Sequence, residues 1–121
     1  MARILVAEDE PAERAVLVRA LARSGHEVTA VGDGAEALAA LEAGGFDLAV
    51  ADIVMPVIDG IAFALKASRD HPGLRVLLVT GYAAELARAR NIEDLVAGVI
   101  SKPYTLPELE SAVAAALAPR P

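Results

Sequence analysis

The stretch Phe46-Asp47-Leu48-Ala49-Val50-Ala51-Asp52-Ile53-Val54-Met55-Pro56 decides the fold. Leu48 to Ala51 is a short apolar run that reads as a buried strand. It runs directly into a carboxylate, Asp52, and Met55-Pro56 then turns the chain away. Continuous apolar runs, rather than alternating ones, mark parallel strands covered on both faces. A carboxylate at the carboxyl end of such a strand lies where open α/β sheets bind their ligands.

The flanking sequence repeats this grammar. Arg3 to Ala7 predicts a first strand, and Pro11 opens a helix to about Ser24 with Leu17, Val18 and Leu21 on its apolar face. Gly25 stops it. A second strand is expected over Glu27 to Val31. Asp33-Gly34-Ala35-Glu36 has the pattern of a capping box, starting a helix to Ala43 that buries Ala37, Leu38 and Leu41. The third strand is Asp47 to Asp52. Asp59-Gly60 begins a helix to about Arg69 with Ile61, Leu65 and Phe63 inward, and His71-Pro72-Gly73 is a turn. Leu74 to Val79 is the most apolar strand, closed by Thr80-Gly81-Tyr82. Ala83 to Arg90 predicts a helix with a thin apolar stripe. Val96 to Ser101 is a fifth strand. Thr105-Leu106-Pro107-Glu108 is a second capping-box pattern, leading a helix to Leu117 with Leu109, Val113 and Leu117 inward. Pro119-Arg120-Pro121 reads as a frayed tail. Five strands alternating with five helices predict a doubly wound five-stranded parallel sheet, in the order 2-1-3-4-5, as one α/β domain over residues 1–121.

Composition narrows the function. The 121 residues are 55% apolar, enough for a sizeable core. No apolar run approaches the ~18 residues of a membrane span, and the start lacks a signal peptide, so a cytoplasmic location is expected. The absence of Cys excludes disulfides and thiolate metal sites. A net charge of −6 argues against direct nucleic-acid binding.

The predicted strand ends carry the chemistry. They bring Glu8, Asp9 and Asp52 to one edge, with Thr80 and Lys102 beside them. Like charges ~4 Å apart repel by about 4 kcal/mol at an effective dielectric near 20. A cation resolves that repulsion, and oxygen donors without His or Cys favour Mg2+ over zinc. Lys102, one of two lysines in the chain, and the Thr80 hydroxyl can each meet a phosphoryl oxygen. A nucleophilic carboxylate, a metal, a lysine and a hydroxyl around one vacancy make a phosphoryl-transfer site. Singly, each residue has a plainer reading: Asp9 and Asp59 as helix caps, Thr80 as a turn residue, Lys102 as a solvated charge.

In Ala7-Glu8-Asp9, Asp52 to Gly60, Thr80-Gly81-Tyr82 and Ser101-Lys102-Pro103-Tyr104, the chain resembles a receiver domain of a two-component response regulator, along its whole length. Stand-alone receivers of alphaproteobacteria are the most similar group. The resemblance implies a flavodoxin-like fold and a role for each residue. Asp52 would accept a phosphoryl group from a phosphohistidine of a sensor histidine kinase or a histidine phosphotransfer protein. Glu8, Asp9, Asp52 and the Val54 carbonyl would bind Mg2+. Thr80 and Lys102 would bind phosphoryl oxygens, and the bond before Pro103 would be cis. Output would pass to a downstream protein target, with no nucleic acid or membrane contacted. The protein would not be a turnover enzyme, although it would catalyse its own phosphorylation and a slow autodephosphorylation.

Two departures matter. The family often has Tyr or Phe three residues before the lysine, where this chain has Val99. Tyr82 is then the nearest candidate for a gate. Val54 and Tyr82 also flank the expected water path, and neither orients a water well, which predicts a long-lived phospho-Asp52. A flavin mononucleotide site is excluded because Glu8-Asp9-Glu10 would repel its phosphate. An aspartyl-phosphate phosphatase needs a second acid where Val54 stands. The remaining alternative is a degenerate receiver that docks without being phosphorylated.

Overall fold

The structure, a computed structural model, describes residues 1–119, so Arg120 and Pro121 of the expected tail lie outside the described residues. The elements are β1 (Arg3–Ala7), α1 (Pro11–Arg23), β2 (Glu27–Val31), α2 (Gly34–Glu42), β3 (Leu48–Asp52), α3 (Gly60–Asp70), β4 (Arg75–Thr80), α4 (Ala83–Arg90), β5 (Gly98–Ser101) and α5 (Leu106–Leu117). The strands form one parallel sheet in the order β2-β1-β3-β4-β5, as expected.

Strand alternation divides the core between the faces. Leu5, Ala7, Ala49, Ala51, Val76 and Leu78 point to the face covered by α2, α3 and α4. Ile4, Val6, Leu48, Val50, Leu77 and Val79 point to the face covered by α1 and α5, against Leu17, Leu21, Leu109 and Val113. All five residues of β3 are buried. β2, at the sheet edge, is only half covered. No helix among the described residues is long and apolar enough to cross a membrane.

Four local expectations need correcting. Leu65 is 42% exposed, whereas Phe63 is fully buried. At about 100° per residue, Gly60, Ala64 and Ala67 define the line that meets the sheet, with Phe63 beside it and Leu65 well round the helix. Leu38 is half-buried rather than buried. The first capping-box pattern is only half made. Asp33 accepts from the Glu36 N–H at 2.8 Å, but the Glu36 carboxylate accepts from the Gly32 N–H instead, at 2.7 Å. The second box, Thr105 with Glu108, forms in both directions. β5 starts at Gly98, because a 3-10 turn over Glu93–Leu95 delivers the chain to the sheet late.

Candidate functional site

Glu8, Asp52 and Thr80 are the buried polar or charged residues among those described. Each stands at the carboxyl end of a central strand, where the parallel sheet opens towards its loops. Glu8 directly follows β1, Asp52 ends β3, and Thr80 ends β4. Lys102 follows β5 and donates its backbone N–H to the Thr80 carbonyl at 2.7 Å. Behind Asp52 the chain turns in very little space. The Gly60 N–H donates to the Ile53 carbonyl at 2.8 Å, and a Cβ at Gly60 would overlap the Asp52 carbonyl oxygen. Only glycine lets α3 begin so close under the acid.

The loop between them holds an unusual residue. Val57 has φ of 70°, and the Ile58 N–H reaches back to the Pro56 carbonyl at 2.9 Å. This is a γ-turn in its strained form, and for a β-branched residue such a φ is a genuine outlier.

The Lys102 ammonium is the hub of the site. Its Nζ donates to Asp52 Oδ2 at 2.6 Å, to Glu13 Oε2 at 3.0 Å and to Glu8 Oε1 at 3.3 Å. The second Asp52 oxygen, Oδ1, accepts from the Val54 N–H at 3.1 Å, which fixes the rotamer. The Asp9 N–H donates to Glu8 Oε2 at 3.1 Å, and Arg14 Nη1 donates to the Glu8 carbonyl at 3.1 Å. Burial, reinforced by hydrogen bonds with Glu13 and Asp52, pushes the Glu8 pKa up to about 9. Glu13 moves the other way, held low first by the hydrogen bond with Glu8 and then by Lys102. Burial opposes the charge on Lys102, but hydrogen bonds to Asp52 and Glu13 outweigh it and raise its pKa.

Of the residues expected to converge, Glu8, Asp52 and Lys102 do so through their side chains. Thr80 is adjacent but engaged elsewhere. Its hydroxyl accepts from the Tyr82 N–H at 3.2 Å and lies 3.3 Å from the Tyr82 carbonyl, to which it donates. Asp9 is exposed and stands outside the carboxylate cluster. Val54 and Tyr82 are 46% and 63% exposed, at the mouth of the site. Val99 is half-buried on the α2, α3 and α4 face. The Lys102–Pro103 bond is cis. Asp59 caps α3 by accepting from the Ala62 N–H at 2.8 Å, and it also takes Arg88 at 2.9 Å.

Glu13 was not legible as part of the site. Its place in the first turn of α1 is explained by the helix dipole alone, and no spacing in the sequence ties position 13 to position 102. Its carboxylate joins those of Glu8 and Asp52, with one oxygen from each lying within 4.8 Å of the others. This all-oxygen donor set fits a hard cation such as Mg2+.

Residues 4–114 match the family model described as the response regulator receiver domain. The response regulator receiver protein CpdR of Brucella abortus is 40% identical over 109 residues, covering 90% of this chain and 91% of that protein. The sensor kinase CckA of Brucella abortus is 38% identical over 115 residues, 93% of this chain but 12% of the kinase. In other curated relatives the chain likewise spans about half the length or less. Among solved structures, response regulator protein TrrA from Thermotoga maritima, in complex with Mg2+–BeF, superposes with a TM-score of 0.86 at 31% identity. That match covers 94% of this chain and 97% of the other.

Proposed function

The chain belongs to the response regulator receiver domain family of two-component, phosphorylation-based signalling, and from that premise we propose that Asp52 is its phosphoryl acceptor. The observation that carries this reading is the 2.6 Å contact between Lys102 Nζ and Asp52 Oδ2, buried at the end of the central strand. It sets a cation beside the oxygen that would be phosphorylated. In the transfer, an Asp52 oxygen forms the O–P bond as the P–N bond of a phosphohistidine breaks, and the imidazole nitrogen keeps the electron pair. The protein's part is positioning and charge cancellation.

Glu8, Asp9, Asp52 and the Val54 carbonyl are the proposed Mg2+ ligands, with Asp9 reaching in from the rim. The bound ion would supply charge neutralisation at the phosphoryl oxygens. That TrrA, at 31% identity, is solved in complex with Mg2+–BeF supports Mg2+ as the ion. Thr80 and Lys102 take the phosphoryl oxygens, for which the Thr80 hydroxyl must leave the Tyr82 backbone. Tyr82, already exposed beside it, is the proposed gate in place of an aromatic residue at Val99. With Val54 and Tyr82 at the mouth, spontaneous hydrolysis is slow, and the protein is a switch rather than a turnover enzyme. The donor is a sensor histidine kinase or a histidine phosphotransfer protein, and the output is a contact with a downstream protein rather than with nucleic acid or membrane. Residues 1–121 act as one cytoplasmic receiver domain.

Incubation with acetyl phosphate and Mg2+, followed by intact-mass measurement, tests the reading. Wild type should gain one phosphoryl group only with Mg2+ present, and Asp52→Asn should gain none. A wild-type protein that neither gains the group nor binds beryllofluoride would instead be a docking module.

A further inference from the structure

We propose that Glu13 is the releasable counter-ion of Lys102, a positioning residue that holds the lysine in the resting site and slows phosphoryl uptake. The inference rests on Asp52 being the acceptor. An ammonium has three N–H donors, and those of Lys102 are all in use, on Glu8, Glu13 and Asp52. A phosphoryl oxygen on Asp52 would be a further acceptor, so one existing bond must yield.

Exposure decides which one. The Glu8 side chain is 1% exposed and that of Asp52 10%, whereas that of Glu13 is 47% exposed. A buried group that loses its hydrogen bond has no water to replace it, which is costly whether the group is charged or neutral. Glu13 can exchange the lysine for water. It also extends from α1, so its departure disturbs neither β1 nor β3.

Glu13 has a second effect, on the incoming donor. One of its oxygens lies within 4.8 Å of oxygens of both Glu8 and Asp52. It therefore adds negative charge where an anionic phosphoryl group must arrive, and it occupies the lysine that would attract that group. Its removal should speed uptake, and more so the higher the charge of the donor.

The experiment compares wild type, Glu13→Gln and Asp52→Asn at saturating Mg2+, following phosphorylation by intact mass. Two donors are used: acetyl phosphate, whose P–O bond breaks with acetate keeping the electron pair, and the less charged phosphoramidate. Mg2+ affinity is measured separately by calorimetry. Glu13→Gln should phosphorylate about tenfold faster with acetyl phosphate, the scale of one screened charge at this range. The gain should be smaller with phosphoramidate, and Mg2+ affinity should fall by no more than about tenfold, the effect of one lost charge at the same range. An equal or slower rate overturns the proposal. So does Mg2+ binding weakened by about a hundredfold or more, beyond the loss of one screened charge, which would make Glu13 a metal ligand instead. Failure of the underlying reading looks different: wild type would gain no phosphoryl group, or Asp52→Asn would gain it equally.

Discussion

α3 and α4 cover the same face of the sheet but are held in opposite ways. α3 buries Gly60, Ile61, Phe63, Ala64 and Ala67, and Asp59 caps its first turn through the Ala62 N–H. α4 has eight residues, buries only Ala89, and has no side-chain hydrogen bond at its N-cap, Tyr82. A helix that short gains little from its own backbone bonds and depends on packing. Beyond Ala89, its side-chain tether is polar. Arg88 reaches Asp59, beyond the helix, at 2.9 Å, and pairs with Glu85 within it. The weakly held helix is the one that follows directly from Thr80-Gly81-Tyr82, where the Thr80 hydroxyl is bonded to the Tyr82 backbone. The difference teaches where this fold can move. α3 belongs to the cooperative core, and α4 is a segment able to open on its own.

The largest test of that contrast is a pair of truncations. Phe63→Ala should cost about 3–5 kcal/mol of unfolding free energy, while Leu86→Ala on α4 should cost under about 1 kcal/mol. Urea denaturation of both variants decides it, and equal losses would erase the distinction.

A pH titration then asks whether charge strain sits at the site or on α4. Glu8 has its pKa raised from 4.5 to about 9, so the folded chain binds this proton more tightly than the unfolded chain does. Without metal, the contribution of Glu8 is complete below pH 4.5 and is lost as pH rises towards 9. The slope is at most about 1.4 kcal/mol per pH unit in that window. Mg2+, by favouring the ionised form, should reverse the loss, so its stabilisation should be larger at pH 8 than at pH 6. Thermal melts with and without Mg2+ check this. An Mg2+ effect that does not grow with pH would place the strain elsewhere.

The smallest effect concerns the tether. Arg88→Ala should speed amide hydrogen exchange in Ala83–Arg90 while leaving α3 and the urea midpoint nearly unchanged. If α3 exchange accelerates equally, the two helices open together and the comparison fails.

Much of this molecule was legible before folding. The apolar runs at Ile4–Ala7, Leu48–Ala51 and Val76–Val79 needed no tertiary information to be recognised, because a strand covered on both faces has no polar side to show. Once the strands were placed, the parallel connection rule brought their carboxyl ends together, and Glu8, Asp52 and Lys102 came with them. Where the reading missed, the cause was rotational. Leu65 and Phe63 are both apolar and close in sequence, and which one faces inward depends on how closely Gly60 and Ala64 let α3 approach the sheet. Glu36 had two backbone N–H groups within reach and took Gly32.

By itself, then, the sequence determined the sheet, its strand order and which strand ends bear acids and a lysine, since each follows from local polarity and chain connectivity. Only the tertiary structure decided that Glu13 shares Lys102 with Asp52 and Glu8, that the Thr80 hydroxyl rests on the Tyr82 backbone, and that Asp9 stands outside the cluster. Those outcomes depend on side-chain rotamers and on the phase of α1 against the loop after β5. They are settled by packing between residues far apart in the chain, which no local pattern encodes.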